Sequence, residues 1–241
     1  MDIDIASLRR NAEAGQAEAE CTLGDLYDLG PQGLLQDYEL ATLWYRKAAD
    51  QGHARAQYNL GLRYVSGHSV PKDDAQAVVW FHRAADHGDA QAQYTMGERS
   101  LSGHGVPVDD AQAVVWFRKA ADQGHAQAQS IIGERYLSGH GVPQDDGQAL
   151  IWLRRAAVQA DAQAQNELGM MYQTGRGVPQ DNGEALMWFT LASHFVAGGF
   201  QHPYAEERNA IITSMPATQR ATAEARAREW EAAFEKRGNT R

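Results

Sequence analysis

From Ala54 onward, Ala54, Ala56, Gln57, Leu60, Gly61 and Tyr64 fall on one side of a helical wheel, while the residues between them are mostly polar. At 100° per residue this is one packed face, and it predicts a helix (helix A) that ends before Gly67. The stretch Gly67-His68-Ser69-Val70-Pro71 breaks the pattern as a loop. Asp73 with Gln76 three residues later then has the form of a helix start, in which the carboxylate accepts a backbone N–H and the amide reaches back. A second helix (helix B) runs from there to about Asp86 and buries Ala77, Trp80, Phe81, Ala84 and Ala85. Gly88 closes it as a left-handed residue just past the end.

This helix pair repeats. Trp80, Trp116, Trp152 and Trp188 are spaced by 36 residues, as are Gly61, Gly97, Gly133 and Gly169, and Pro71, Pro107, Pro143 and Pro179. Units beginning at Ala54, Ala90, Ala126 and Ala162 align without a gap, and an earlier copy from Ala17 is one residue longer, in its loop Gly30–Asp37. The start signal recurs as Asp109/Gln112, Asp145/Gln148 and Asp181/Glu184. One helix pair cannot bury its apolar face alone, so such units must stack. In this reading the small residues Gly61, Ala84 and Ala85 let helices approach, and Trp80 fills the space between layers. The expected organisation is an N-terminal capping helix (1–16), repeats at 17–53, 54–89, 90–125, 126–161 and 162–197, and a helical C-terminal cap (198–241). The first cap buries Ile5, Leu8 and Ala12. The last opens at Pro216 and buries Ala223, Ala227, Trp230 and Phe234, with Arg220, Glu224, Arg228, Glu231 and Glu235 on its other face.

The recurring string Ala-x-Ala-Gln-x-x-Leu-Gly-x-x-Tyr-x-x-Gly-x-Gly-Val-x-x-Asp-x-x-x-Ala-x-x-Trp-x-x-Lys-Ala-Ala-x-x-Gly resembles the Sel1-like repeat, nearly whole at Ala126–Gly141 and Gly103–Gly124. The resemblance covers roughly residues 17–197. Ser100 stands in place of the Tyr, Ser69 of the second loop Gly and Ala160 of the closing Gly. The resemblance implies an all-α, right-handed α/α superhelical solenoid related to tetratricopeptide arrays, with helices A on the concave side and helices B on the convex side. It also implies adaptor and scaffold roles, often in bacteria, and for some relatives a role as immunity proteins accompanying toxins. The fold by itself does not choose among these.

Composition narrows the partner. The formal charge is −9, and an acidic surface repels phosphate backbones, so nucleic acid is not expected. The start, Met-Asp-Ile-Asp-Ile-Ala-Ser-Leu-Arg-Arg, lacks the features of a signal peptide, and no apolar run approaches the roughly 20 residues of a membrane helix. With Cys21 as the single cysteine, the expectation is a cytoplasmic monomer that does not engage membranes.

Several patterns with chemical connotations reduce to structure. Ser69-Val70-Pro71-Lys72 matches Ser-x-x-Lys, but its proline places it in a loop and no Ser-Asp-Asn or Lys-Thr-Gly accompanies it. His68, His104 and His140 recur in the loops; equivalent positions two helix widths apart, roughly 16–20 Å, cannot share one metal ion. The tryptophans are in phase with core positions, and the Asp-Asp pairs read as helix caps with dipole-favoured charge. Cys21 sits in helix A with no His placed beside it. There is no Gly-rich phosphate loop, zinc-type Cys/His set or His-Glu-x-x-His. The chain reads as a protein that holds another protein, without a cofactor or metal, rather than as an enzyme.

Subtracting the packed side of helix A leaves its second, sixth, ninth and thirteenth positions, with the fifth at the edge. The candidate groove residues are Asp25, Arg55, Tyr58, Asn59, Leu62, Tyr94, Thr95, Glu98, Ile131, Glu134, Glu167 and Met170. Their mixture of aromatic, apolar and acidic groups suits an extended peptide or partner helix carrying basic residues between apolar anchors. Arg63, Arg99 and Arg135, one position past the ninth, are placed to pair with the groove glutamates along the edge. Two roles fit: an adaptor that binds a partner segment in its concave groove, or an immunity or inhibitor protein that occludes a cognate toxin or enzyme. Leu43, Val79, Val115, Ile151 and Met187, on the helix B side, are expected to pack between layers.

Overall fold

The computed structural model describes residues 4–30, 35–194 and 205–238. Part of the first repeat's longer loop, and the junction between the last repeat and the cap, lie outside the described residues. Among the described residues the chain is helical, with turns and loops but no strand. It divides into two compact units, Met1–Gln123 and Gly124–Arg241.

The first unit holds α1 (Ile5–Glu13), α2 (Ala17–Leu29), α3 (Tyr38–Asp50), α4 (Ala54–Ser66), α5 (Asp74–Asp86), α6 (Ala90–Ser102) and α7 (Asp110–Asp122). Each packs on the next in order. The second unit holds α8 (Ala126–Ser138), α9 (Asp146–Ala157), α10 (Ala162–Thr174), α11 (Asn182–His194), α12 (Ala205–Ser214) and α13 (Ala217–Gly238). There α8 to α11 pack in order, and α11 packs on both α12 and α13. The even-numbered helices α2 to α10 are the helices A, and the odd-numbered α3 to α11 are the helices B.

The helix ends follow from short-range chemistry. Asp73, Asp109 and Asp145 accept the backbone N–H of Gln76, Gln112 and Gln148 at 2.9–3.0 Å. This satisfies a donor that the first helical turn leaves without a partner. Helices A are capped by Asp89 and Asp161, and in α4 by His53, whose Nδ1 accepts from Ala56 N at 3.2 Å. Gly67, Gly103, Gly139 and Gly175 end helices A in the left-handed region. Gly52, Gly88 and Gly124 follow helices B at φ 87–93°. At the same place in the fourth repeat Ala160 is forced to φ 65°, and Ser69 adopts φ 62° where Gly105 and Gly141 stand at φ 78°. Ser69 and Ala160 are the non-glycine residues at positive φ among those described, and both had replaced a repeat glycine.

The core has the composition expected of it, with Trp80, Trp116, Trp152 and Trp188 all at or below 9% exposure. Trp116 of α7 packs with Ala77, Phe81 and Ala84 of α5 and with Ala92 and Met96 of α6, so it bridges successive repeats. The glycine of helix A lets an aromatic ring of helix B approach closely. A Cβ on Gly61, Gly97 or Gly169 would lie 2.5–2.6 Å from the ring of Phe81, Phe117 or Phe189 of the same repeat, well inside contact distance. The glycine therefore seats the fully buried helix B aromatic. In the first repeat Tyr45 takes that place against Gly24.

A polar ladder accompanies the apolar one. Gln57, Gln93 and Gln165 each donate to the carbonyl of Ala49, Ala85 or Ala157 at the end of the preceding helix B, at 3.0–3.1 Å. The oxygens of Gln57, Gln93 and Gln129 are met in turn at 2.8 Å by His87, Gln123 and Gln159. Each buried amide thus closes a helix end while joining one repeat to the next.

In the C-terminal cap, Ala223 and Ala227 are buried as expected, whereas Trp230 and Phe234 are half-buried and stack on each other at 5.3 Å. The helix B stripe departs from expectation. Leu43, Val79, Val115 and Ile151 are 43–49% exposed and do not pack between layers, while Met187 is 6% exposed. An aliphatic side chain in the middle of the outer face of helix B has no following helix over it, and only in the last repeat does another element reach it.

Candidate functional site

The candidate groove residues lie on helices A, and the structure sorts them into three groups. Asp25, Arg55 and Asn59 are committed to one another. Arg55 lies 2.8 Å from Asp25 Oδ2, and Asn59 Nδ2 and the Tyr45 hydroxyl donate to Oδ1 at 3.1 and 2.9 Å. Burial together with the Asp25 charge pushes the Tyr45 phenol well above its usual pKa. Asp25 is therefore a structural hub within the first unit rather than a negative end of an open groove.

Tyr58 and Tyr94 form the second group. Each leans on the buried helix B aromatic of its own repeat, with centroids 5.5 Å from Phe81 and 5.6 Å from Phe117. They are half-buried. Thr95 and Ile131 are half-buried as well.

The third group faces solvent or cavities. Leu62 and Met170 are 41% and 42% exposed, and Glu98 is exposed. Leu62 and Asn59 line a cavity of about 310 Å³ in the first unit with Asp28, Arg63, Val65, Ser66 and His68. Glu134 and Glu167 line one of about 290 Å³ in the second unit with Leu137, Ser138, Gln163 and Arg176. The ninth, twelfth and thirteenth positions of helix A line both, as Leu62/Val65/Ser66 and as Glu134/Leu137/Ser138. The first cavity has an aliphatic wall; the second is acidic.

The acidic cavity holds an electrostatic conflict. Oε1 of Glu134 is buried and accepts no hydrogen bond. Burial first, and then the charges of Glu167 and Asp161, raise the Glu134 carboxyl from 4.5 to about 7. Burial raises Glu167 too, with Arg176 opposing it. Two nearby carboxylates in a partly dry site resist ionising together.

Two of the three edge arginines are engaged elsewhere, while the charge of Arg135 opposes the upward shift of the Glu134 carboxyl. Arg63, 6% exposed, pairs with Asp28, and Arg99 reaches Asp74 Oδ1 at 2.9 Å and the His104 carbonyl at 3.1 Å. Both tie one repeat to the preceding one instead of screening the ninth-position glutamates. Arg176 occupies the loop position that carries His68, His104 and His140 in other repeats. It binds Asp146 at 2.8–2.9 Å and the Leu137 carbonyl. Asp74 and Asp146, expected only as helix-start charges, thus also hold arginines from the next repeat. His68 stacks on Tyr38 at 4.9 Å, with the Arg63 guanidinium 5.2 Å from the same Tyr38 ring. Burial pushes the Cys21 thiol up to about 12, which leaves it unreactive as a nucleophile. Sequence reasoning had the thirteenth positions, Ser66 and Ser138, on this face but missed Val65, Leu137 and Arg176. Val65 and Leu137 sit beside the thirteenth positions on the last turn of helix A, and Arg176 was signalled only by its departure from the loop histidines.

In each unit the tandem helix pairs carry an open pocket lined by a helix A. The chain belongs to the Sel1 repeat family, whose model matches residues 17–53, 54–89, 90–125, 126–161 and 162–194. Sel1 repeat proteins generally mediate protein–protein interaction, and the fold is typically a non-catalytic scaffold. Among solved structures, it is similar to c5321, a protective antigen of uropathogenic Escherichia coli with an SLR fold. The TM-score is 0.76 at 32% identity, over 99% of this chain and 57% of that one. A Sel1 repeat protein from Oxalobacter formigenes matches with a TM-score of 0.68 at 31% identity, over 84% and 86% of the two chains. Chitin synthase regulatory factor 3 of Schizosaccharomyces pombe is 36% identical over 71 residues, 29% of this chain and 8% of that protein. The chain thus spans little more than half of the Escherichia coli protein and a small part of the yeast one. Among the described residues no helix is long and apolar enough to cross a membrane.

Proposed function

We propose that the chain is an adaptor, acting as a cytoplasmic monomer, that binds another protein through the helix A face of each of its two units. In this reading the aliphatic cavity beside Leu62 and Val65 takes an apolar anchor. The acidic cavity beside Glu134 and Glu167 takes a lysine or arginine side chain. The observation that carries it is the Glu134 carboxyl, which has a buried oxygen without a hydrogen-bond donor at the wall of an open cavity. A cationic side chain would supply the missing donor and add positive charge beside the two carboxyls.

Photo-crosslinking residues placed at Leu62 and Met170, both partly exposed, test this in cells. The reading expects each to capture a short protein segment that mass spectrometry shows to contain a basic residue beside apolar ones. Capture at Met170 should be lost in the Glu134→Gln/Glu167→Gln variant. Capture of segments without basic residues, or unchanged capture by the double variant, contradicts it.

A further inference from the structure

The outer face of the helices B in the first unit carries three exposed rows of recurring chemistry. Leu43, Val79 and Val115 form an aliphatic row, each nearly half exposed. One turn further along each helix, exposed Lys47, Arg83 and Lys119 form a cationic row. Each of these cations is held over the tryptophan three residues before it, at 4.0–4.6 Å from Trp44, Trp80 or Trp116. These contacts fix the cations beside the aliphatic row instead of leaving them to sweep through solvent. Exposed Arg46 adjoins the row and donates to the Tyr64 hydroxyl at 3.1 Å. In the middle repeat His82 is drawn to Asp86 at 2.9 Å. A third row, exposed Asp50, Asp86 and Asp122, follows three residues on.

The chain itself shows what happens where this face is covered. In the last repeat the aliphatic position is Met187, buried in the cluster that contains Ala227 of α13, with Trp230 packed against it. There the two basic positions have become Thr190 and Leu191, and Leu191 is fully buried. A permanently covered face has thus lost its cations, whereas the face of the first unit keeps aliphatic and cationic rows side by side. That pattern fits reversible docking by an occupant that carries negative charge.

We infer that the Leu43/Val79/Val115 and Lys47/Arg83/Lys119 rows form a second docking surface, for an amphipathic helix of a partner protein with an apolar stripe bordered by Asp and Glu. Charge complementarity and width select this occupant. The aliphatic and cationic rows are about 6 Å apart along the helix axis, and the acidic row lies about 10 Å from the aliphatic one, at about 1.5 Å per residue. A helix about 10 Å wide laid along the rows covers the first two and stops at the acidic row. An anionic bilayer is less favoured, since a chain of net charge −9 would be held against a negative surface.

The test is selection of a displayed library of helix-forming 18-residue peptides on the intact chain. The expected result is enrichment of peptides with Leu, Ile or Val at helical spacing and Asp or Glu along one edge. Their binding should weaken at least about fivefold in 0.5 M salt and in Lys47→Gln/Arg83→Gln/Lys119→Gln. Because losing the cations could loosen the tryptophans beneath them, Val79→Ser/Val115→Ser serves as a second variant that leaves those contacts in place. It should also weaken binding at least about fivefold, while Glu134→Gln leaves it unchanged. No enrichment, enriched peptides without acidic residues, or binding lost in Glu134→Gln instead would overturn the proposal. So would binding of the chain to vesicles containing 30% phosphatidylserine that is abolished by the same variants, or a dimer in sedimentation that Val79→Ser/Val115→Ser dissociates.

Discussion

The hydroxyls of Thr42 and Ser69 meet at 2.5 Å, at a place where the next repeat sets Val78 against Gly105. A Cβ on Gly105 would lie 2.9 Å from Val78 Cγ2 and 2.6 Å from the Asp74 carbonyl, so that turn needs glycine for room as well as for its φ of 78°. The earlier repeat accepts a side chain at φ 62° because Thr42 offers a hydrogen bond where Val78 offers a methyl group. Ser69→Gly alone removes about 1 kcal/mol of backbone strain but leaves the buried Thr42 hydroxyl unpaired, which costs about 1–3 kcal/mol. The expected result is no gain. Adding Thr42→Val recreates the Val78/Gly105 pair and should stabilise the protein by about 1 kcal/mol over the parent, read from urea unfolding midpoints.

Ala160 has no such compensation. It stands at φ 65° where Gly52, Gly88 and Gly124 stand at 87–93°. Ala160→Gly should add about 1 kcal/mol and raise Tm by about 2–4 °C in calorimetry. An unchanged Tm would mean that the left-handed geometry is not kept in solution.

Two other glycines should respond oppositely to alanine. At Gly97 the new Cβ would sit 2.6 Å from the Phe117 ring, which is fully buried and has nowhere to move. Gly97→Ala should cost about 1–3 kcal/mol by overpacking. Gly147 in α9 is exposed, and Ala75 and Ala111 already occupy its position in α5 and α7. Gly147→Ala should gain about 0.5 kcal/mol through the reduced freedom of the unfolded chain. Unfolding curves of both variants, measured together, separate the packing role from the conformational one.

These cases mark where the sequence was legible. Helix starts and stops were, because Asp73 and Gly88 act on their own backbone within a few residues. The tryptophan core was too, because a period of 36 forces equivalent residues into equivalent places. Contacts between repeats were not. That Arg99 reaches back to Asp74 depends on the offset at which repeats stack, and no local period encodes it. The exposed stripe was misread for the same reason: Val79 and Met187 share a phase, and only the position of α13 separates them. Within the candidate site, the helix A face could be read from its phase. The mutual engagement of Asp25 with Arg55 and Asn59 could not, since it joins two repeats.

The Glu134 carboxyl gives the fold a defined pH dependence. Its pKa in the folded chain is raised to about 7 from 4.5, so the stability it contributes is complete below about pH 4.5 and is lost as pH rises through 7. Glu134→Gln mimics the protonated form and should remove that loss. Since the cavity is open to water, the gain at pH 8 should be about 1–2 kcal/mol, falling to zero at pH 4. Equal gains at both pH values would indicate a packing effect instead.

The adaptor reading turns on whether a partner's cation enters the Glu134/Glu167 cavity, and proton linkage measures this directly. A cation bound there favours the ionised pair and drives off the proton that Glu134 holds near pH 7. Calorimetric titration of a captured partner segment at pH 6.5, repeated in buffers of different ionisation enthalpy, counts the protons exchanged. We predict net proton release on binding, abolished in Glu134→Gln/Glu167→Gln. Binding of undiminished affinity with no proton released would contradict the account.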